Sequence, residues 1–199
     1  MSEQSDIRRS VFKYRSYTPI PFLILMVLFA RPTLASMLLG ALGVCLGESI
    51  RFWGVSIAGS ETRTTGNVGG TYLITNGPFA YVRNPLYVGN MVMYVGIGIM
   101  SMAVFPWLLL AAMVWFYMQY SLIVTTEEEY LTERFGAAYA EYRKNVRRFL
   151  PRLAPYHSPR PPDKNADFRE GLASERRTLQ AIGLVMLLLA IVFFIRGNG

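Results

Sequence analysis

Two short stretches of this chain carry residue types able to hold and orient a charged small molecule. The first runs from Thr71 to Gly89 (TYLITNGPFAYVRNPLYVG) and places Arg83 and Asn84 directly before Pro85. Proline suits the first helical position, where its missing N–H costs nothing and its φ is already helical. It also pushes the preceding residue, Asn84, into extended backbone. An extended strip bearing Tyr81, Arg83 and Asn84 is thereby delivered to the start of an apolar helix. The second stretch centres on the tandem acids Glu127 and Glu128. The pattern contains no His/Cys cluster at metal-ligand spacing and no Ser or Cys nucleophile with a base beside it. The lone His157, in a proline-rich tail, is a poor ligand or base. Carboxylates, a guanidinium and several tyrosines suit a bound cationic or zwitterionic cofactor whose own reactivity does the work. Two plainer readings compete. Tyr and Arg at headgroup level are ordinary interfacial anchors, and an acidic run is favoured at any helix start by the helix dipole.

The elements that must position these residues are apolar. Of 199 residues, 52% are hydrophobic and 17% charged, and the mean hydropathy is +0.28. Several long apolar runs indicate an integral membrane protein rather than a soluble domain. One cysteine, Cys45, excludes a disulfide framework and a Cys metal site.

In chain order, Met1 to Tyr17 is a polar segment with Arg8, Arg9, Lys13 and Arg15, and no small-residue cleavage site follows the first apolar run. Thr18 to Ala30 is that first run, short against the roughly 20 residues of a perpendicular span. After an Arg31-Pro32 turn, Thr33 to Ala58 forms a longer helix. Its Gly40, Gly43 and Gly47 make a small-residue face for close helix approach. Glu48 and Arg51, one turn apart, read as a structural ion pair or as chemistry, since charges at membrane depth are paired or functional. A glycine-rich loop from Gly59 to Asn84 does not follow a strand in a βαβ pattern, so it is not a dinucleotide fingerprint. Leu86 to Met102 is the third helix, and Pro106 to about Thr125 the fourth. Thr126 and Glu129 then read as a capping box opening a new helix, with Gly136 separating it from another. In that last helix Tyr139, Tyr142 and Val146 share one face, and Arg143, Lys144, Arg147 and Arg148 lie largely elsewhere. Such a basic amphipathic helix suits an anionic membrane surface. A proline-rich charged connector spans Pro151 to Glu175, and Leu179 to Ile195 is a fifth, somewhat short span. The expected architecture is an all-α integral membrane bundle of about five transmembrane helices with a cytoplasmic amphipathic segment. It divides into residues 1–17, a core at 18–152, a linker at 153–176 and an additional helix at 177–199.

The motifs now resemble a known family. GPFAYVRNPLYVG is similar to the GPY-x-x-x-RHP-x-Y-x-G signature of isoprenylcysteine carboxyl methyltransferases and their bacterial relatives. EEEYLTERFGAAYAEYRKNVRRFLP resembles their second signature, with Glu127, Glu128, Leu131, Phe135, Gly136, Tyr139, Tyr142, Val146, Arg148 and Pro151 in register. Phospholipid N-methyltransferases share the general pattern of a membrane helix bundle with a tandem Glu. The resemblance implies S-adenosylmethionine as cofactor, bound at the cytoplasmic face. It assigns Thr71, Tyr72, Leu73, Ile74 and Phe79 to the wall around the cofactor, and Asn84, Pro85, Leu86 and Tyr87 to its binding element. Glu127 and Glu128 become the tandem acids that contact the cofactor. Arg83 takes the catalytic place, orienting an anionic lipid group beside the methyl, with phosphate snorkelling at the interface as its alternative. Two positions depart from the signatures. Asn84 stands where His is usual, and Ile123, Val124 and Thr125 occupy the turn where an Arg commonly precedes the tandem Glu. The expected acceptor is therefore a membrane lipid or small apolar molecule and not necessarily a prenylated cysteine.

The expected partners are the bilayer and that acceptor, with no nucleic acid and no metal. An NADPH-dependent sterol-type membrane reductase and a non-catalytic scaffold holding anionic lipid are the competing functions. Orientation follows from Lys and Arg placement. With Met1 cytoplasmic, alternating spans leave only Arg31 and Arg196 on the far side, which turns the site toward the cytoplasm, and the resemblance to bacterial relatives implies a bacterial inner membrane. Cysteines introduced at Thr65 and Arg160 should therefore both be labelled from the cytoplasmic face. Labelling of either from the outside would break this topology.

Overall fold

The computed structural model describes residues 14–59, 72–159 and 164–197, and among them the regular structure is entirely helical. Thr71 and the glycines at 66, 69 and 70 lie outside the described residues. Among the described residues six α-helices follow one another: α1 (Pro19–Leu28), α2 (Leu34–Ala58), α3 (Pro85–Ser101), α4 (Trp107–Phe135), α5 (Ala137–Asn145) and α6 (Phe168–Gly197). A short 3-10 turn at Gly77–Ala80 precedes α3. Helices α2, α4 and α6 are long and apolar enough to cross a membrane, whereas α1 and α3 are shorter apolar helices. Leu38, Leu39, Leu42 and Leu46 on α2, and Leu184 and Leu187 on α6, face outward as a lipid-exposed surface requires. The chain is an all-α membrane bundle.

Helix α2 starts at a capping box formed by Thr33 and Ser36. The Thr33 hydroxyl accepts from the Ser36 N–H at 3.1 Å, and the Ser36 hydroxyl accepts from the Thr33 N–H at 2.9 Å. From there α2 packs against α3 more intimately than any other pair. Glycine makes that possible. A Cβ on Gly47 would sit 2.6 Å from the Gly89 carbonyl, and one on Gly96 would sit 2.6 Å from the Val44 nitrogen. Side chains would hold the backbones apart, so the small-residue face read in the sequence is the seam of the bundle. Met26, Ala30, Phe116 and Leu189 fill the core between α1, α4 and α6.

Three expectations about helix limits are corrected. No new helix opens at Thr126, because α4 runs unbroken for 29 residues. The Thr125 and Thr126 hydroxyls bond back to the carbonyls of Ser121 and Leu122. This mid-helix use satisfies the hydroxyl without a cap, and the residues that follow contain no glycine or proline before Gly136. Gly136, at φ +52°, then ends the helix as expected. Second, the segment read as a connector up to Glu175 is helical from Phe168. Asp167 opens that helix, accepting from the N–H groups of Arg169 and Glu170 at 2.9 and 3.0 Å. Those N–H groups, Glu170's first, hold its carboxyl below the ordinary value. Third, the apolar face of α5 does not lie on a membrane. Tyr139, Tyr142 and Val146 are buried against Leu73, Leu131, Phe135 and Tyr156 of the same chain.

The lengths decide where the site sits. At 1.5 Å per residue α4 is about 43 Å long, against about 30 Å of hydrocarbon. Its last turns must stand clear of the bilayer, and they carry Glu127 and Glu128. Helix α6 runs antiparallel to α2, with Gly171 against Ser56 at one end and Arg196 bonded to the Ala30 carbonyl at the other. Gly47→Ala should force α2 and α3 apart and destabilise the fold by about 1–3 kcal/mol. Gly183→Ala, where an added Cβ meets nothing within 4 Å, should leave thermal unfolding in detergent unchanged or raise its midpoint.

Candidate active site

Past the membrane edge, the strip before α3 is stitched to the chain that leaves α5. The Arg83 N–H donates to the Arg147 carbonyl, the Arg152 N–H to the Tyr81 carbonyl and the Tyr156 N–H to the Ala80 carbonyl, each at 2.9 Å. Asn84 adopts φ −126° and ψ 62° before Pro85, outside the helical region the proline disfavours but short of the fully extended backbone expected. Its side-chain amide donates to the Arg148 carbonyl at 3.0 Å. The amide therefore fastens two backbone segments together.

The tandem acids have separate partners because adjacent residues on a helix point about 100° apart. Glu127 Oε1 accepts from the Tyr87 hydroxyl at 2.8 Å, and Tyr87 leans on Tyr120 with ring centroids 4.7 Å apart. Among the described residues no cation lies within ion-pair distance of Glu127, although the Arg15 charge acts on both Glu127 and Tyr87 from further away. Glu128, 5% exposed, is held between two guanidinium groups. Arg83 Nη2 approaches its Oε1 at 3.2 Å. Arg148 donates through Nη2 to Oε2 at 2.5 Å and through Nε to Oε1 at 3.2 Å, and its Nη1 also reaches the Thr125 hydroxyl. Arg83 keeps Nε and Nη1 buried without a partner.

Beside Glu128 a cleft of about 390 Å³ opens between α4 and α5, lined by Glu128, Glu129, Glu133, Arg143 and Arg148 together with Thr125 and Thr132. The Tyr142 hydroxyl donates to the Phe79 carbonyl at 2.7 Å. Burial pushes the Tyr139 phenol up to about 12, with the Glu128 charge adding to it, and burial pushes the Tyr142 phenol up as well. Both remain neutral hydroxyls at physiological pH. Their contribution to stability is present below pH 10, the ordinary phenol value, and is lost as pH rises beyond it.

The residues singled out from sequence divide as follows. Arg83 meets Glu128, and Tyr87 meets Glu127. Leu73 and Phe79 reach the tyrosines of α5. Pro85 and Leu86 pack toward Gly54 of α2, Ile74 is half-buried, and Tyr72 is exposed. Thr71 lies outside the described residues. Arg148, read as one charge of a basic surface, is instead an inward partner of Glu128. The Glu48–Arg51 pair expected from spacing is long, at 3.8 Å. Arg51 is held more tightly by Glu175, with Nη2 at 2.7 and 2.9 Å from its two oxygens. No sequence signal could have found that partner, which lies 124 positions away.

Three relatives are similar to this chain. Over 121 residues it is 36% identical to the cobalt-zinc-cadmium resistance protein CzcN of Cupriavidus metallidurans, covering 59% of this chain and 50% of that protein. Over 115 residues it is 35% identical to the protein-S-isoprenylcysteine O-methyltransferase of Schizosaccharomyces pombe, covering 56% and 48%. Over 125 residues it is 30% identical to the nickel-cobalt-cadmium resistance protein NccN of Alcaligenes xylosoxydans xylosoxydans, covering 62% and 54%. The matched stretch thus spans about half the length of each relative. Residues 35–138, more than half of the chain, match the phospholipid methyltransferase family. They contain the glycine seam, the strip before Pro85 and both tandem acids, and the chain belongs to that family.

Proposed function

We propose that this protein transfers a methyl group from S-adenosylmethionine to a lipid or membrane-dissolved acceptor, at the cytoplasmic face of a bacterial inner membrane. The observation that carries this reading is the division of labour between the tandem acids. Glu128 has its charge met by Arg83 and Arg148, whereas Glu127 is held in place by a neutral tyrosine hydroxyl. A carboxylate oriented but not neutralised suits a cationic ligand.

The residues present fit the cofactor. S-adenosylmethionine, when bound, supplies an electrophilic methyl carbon on a sulfonium. Glu127 offers a counter-charge to the ammonium or sulfonium through a charge-assisted contact. The guanidinium groups of Arg143 and Arg148, which line the cleft at the same edge, offer partners for a carboxylate. Methyl transfer requires nucleophile, carbon and sulfur in line more than it requires acid–base chemistry, and positioning contributes roughly 7–11 kcal/mol in favourable cases. Arg83 is placed for that task. Its Nη2 is pinned by Glu128, leaving Nε and Nη1 to orient an anionic group of the acceptor. Exclusion of water comes from the tyrosine cluster under Leu73 and Phe79.

The acceptor we propose is a membrane lipid. Ile123 and Val124, buried in the turn before Glu127, provide no cation there for a prenylcysteine carboxylate, and a buried carboxylate without one is poorly compensated.

Glu127→Gln should weaken S-adenosylhomocysteine binding by roughly 1.5–3 kcal/mol in isothermal titration, the scale of a charged hydrogen bond, with thermal unfolding nearly unchanged. Glu128→Gln should do the reverse in kind. It strands two guanidinium groups and should cost stability, toward the lower end of about 3–5 kcal/mol because Arg148 is partly exposed. NADPH should not bind, and equal affinity for NADPH would favour a reductase. Arg83→Ala should lower transfer of labelled methyl to total membrane lipid extract while leaving cofactor affinity nearly intact. Efficient methylation of a prenylcysteine analogue, with none of the lipid extract, would replace the lipid acceptor by a carboxyl one.

A further inference from the structure

Glu175 is 1% exposed and belongs to α6, beyond the family-matched residues 35–138. Nothing in the proposed chemistry touches it. A carboxylate buried this deeply is tolerated only with full compensation, and both of its oxygens accept from Arg51 Nη2. Arg51 has a second acid on its own helix, Glu48, yet its Nε stands 3.8 Å from that carboxylate. Turning Nη2 toward α6 has a consequence for the other end of the fork. Arg51 Nη1 donates to Asn90 Oδ1 at 2.7 Å. With its oxygen so engaged, the Asn90 amide must present its nitrogen to the opposite side, where it donates to the Tyr120 hydroxyl at 3.2 Å. The Tyr120 ring supports the Tyr87 ring, and the Tyr87 hydroxyl holds Glu127.

We propose that Glu175 is a positioning residue for Glu127, acting through Arg51, Asn90, Tyr120 and Tyr87. The proposal rests on the reading of Glu127 as the cofactor's carboxylate. Each link fixes the orientation of the next, and four of the five are hydrogen bonds or ion pairs between buried or half-buried groups. Without Glu175, the acid left to Arg51 is Glu48. Swinging to it takes Nη1 away from Asn90, frees the amide to rotate and loosens one of the contacts that hold the Tyr120 ring behind Tyr87. Helix α6 is docked independently by Gly171 on Ser56, by the Asp167 N–H donating to the Ser56 carbonyl at 2.6 Å and by Arg196 on the Ala30 carbonyl. A change at Glu175 therefore disturbs the relay without undocking the helix.

The test uses the full chain in detergent and two readouts, S-adenosylhomocysteine affinity by titration and thermal unfolding without ligand. Arg51→Lys keeps a cation for Glu175 but loses the fork whose separate nitrogens Nη1 and Nη2 reach Asn90 and Glu175. It should unfold near the wild-type temperature and bind S-adenosylhomocysteine three- to tenfold more weakly. Glu175→Gln should lose affinity by a similar factor, and it should lose nothing further when Tyr87→Phe is already present, since both changes cut one path. Wild-type affinity in Arg51→Lys, or an equal loss from Glu175→Gln with and without Tyr87, would reduce Glu175 to a brace and overturn the proposal. If the wild type binds no S-adenosylhomocysteine, the cofactor reading itself fails, and ligand-free unfolding decides the relay. Losses in Tm from Glu175→Gln and Tyr87→Phe that do not add would retain it, and additive losses would overturn it.

Discussion

Glu128 sits where three segments of the chain meet, and two guanidinium groups share its charge. One comes from the strip before α3 and the other from the chain beyond α5, while the acid itself belongs to α4. A single buried carboxylate thus fastens the strip, the end of a membrane helix and the returning tail into one body outside the bilayer. A lone carboxylate at that depth would be expelled or neutralised, and two guanidinium groups without it would repel each other. The arrangement holds because all three charges are brought together, and the backbone bonds from Arg83 to Arg147 and from Arg152 to Tyr81 keep them there. Glu127 inherits its position from this cluster. The Tyr87 hydroxyl orients it, and on the proposed reading its counter-charge is the cofactor's.

The membrane contributes a second constraint. Within hydrocarbon every backbone polar group must be paired internally, so the irregular strip, the cleft and the short helix α5 belong outside it. Helix length arranges this. Helix α4 exceeds the bilayer by about two turns, whereas α3 starts at Pro85, where the strip ends. The glycine contacts between α2 and α3 then set the lateral register, because Gly47 against Gly89 and Gly96 against Gly40 permit one depth of engagement. That register places Asn90 opposite Arg51.

Much of this was legible in the sequence wherever a single residue dictates the backbone. Pro85 fixed the start of α3 and kept Asn84 out of the helix, Gly136 fixed the end of α4, and the glycine spacing announced the α2–α3 seam. The family motifs drew Arg83, Tyr87, Glu127 and Glu128 to one face. Legibility failed where a pattern has two physical meanings. Thr126 with Glu129 has the spacing of a capping box, yet a threonine inside a helix satisfies its hydroxyl on the carbonyl four residues back just as well. Arg148 has the look of a solvated basic face, and its inward turn depends on an acid 20 positions earlier. Asp167 did carry a readable helix-start signal. It was overshadowed by the prolines and charges around it.

Helix α6 shows why family boundaries and structural boundaries need not coincide. The matched segment ends at residue 138, yet it contains Arg51, a cation buried at the end of a membrane helix. Within that segment its nearest acid is Glu48, whose two oxygens are buried without a hydrogen-bond partner. A guanidinium there requires better compensation than a 3.8 Å contact along its own helix can give. The missing oxygens arrive from Glu175, on a helix the family description does not include. In this chain the matched core is therefore electrostatically incomplete by itself. Arg51 makes α6 a part of the core, because a cation at that depth commits the fold to whatever element brings its counter-charge.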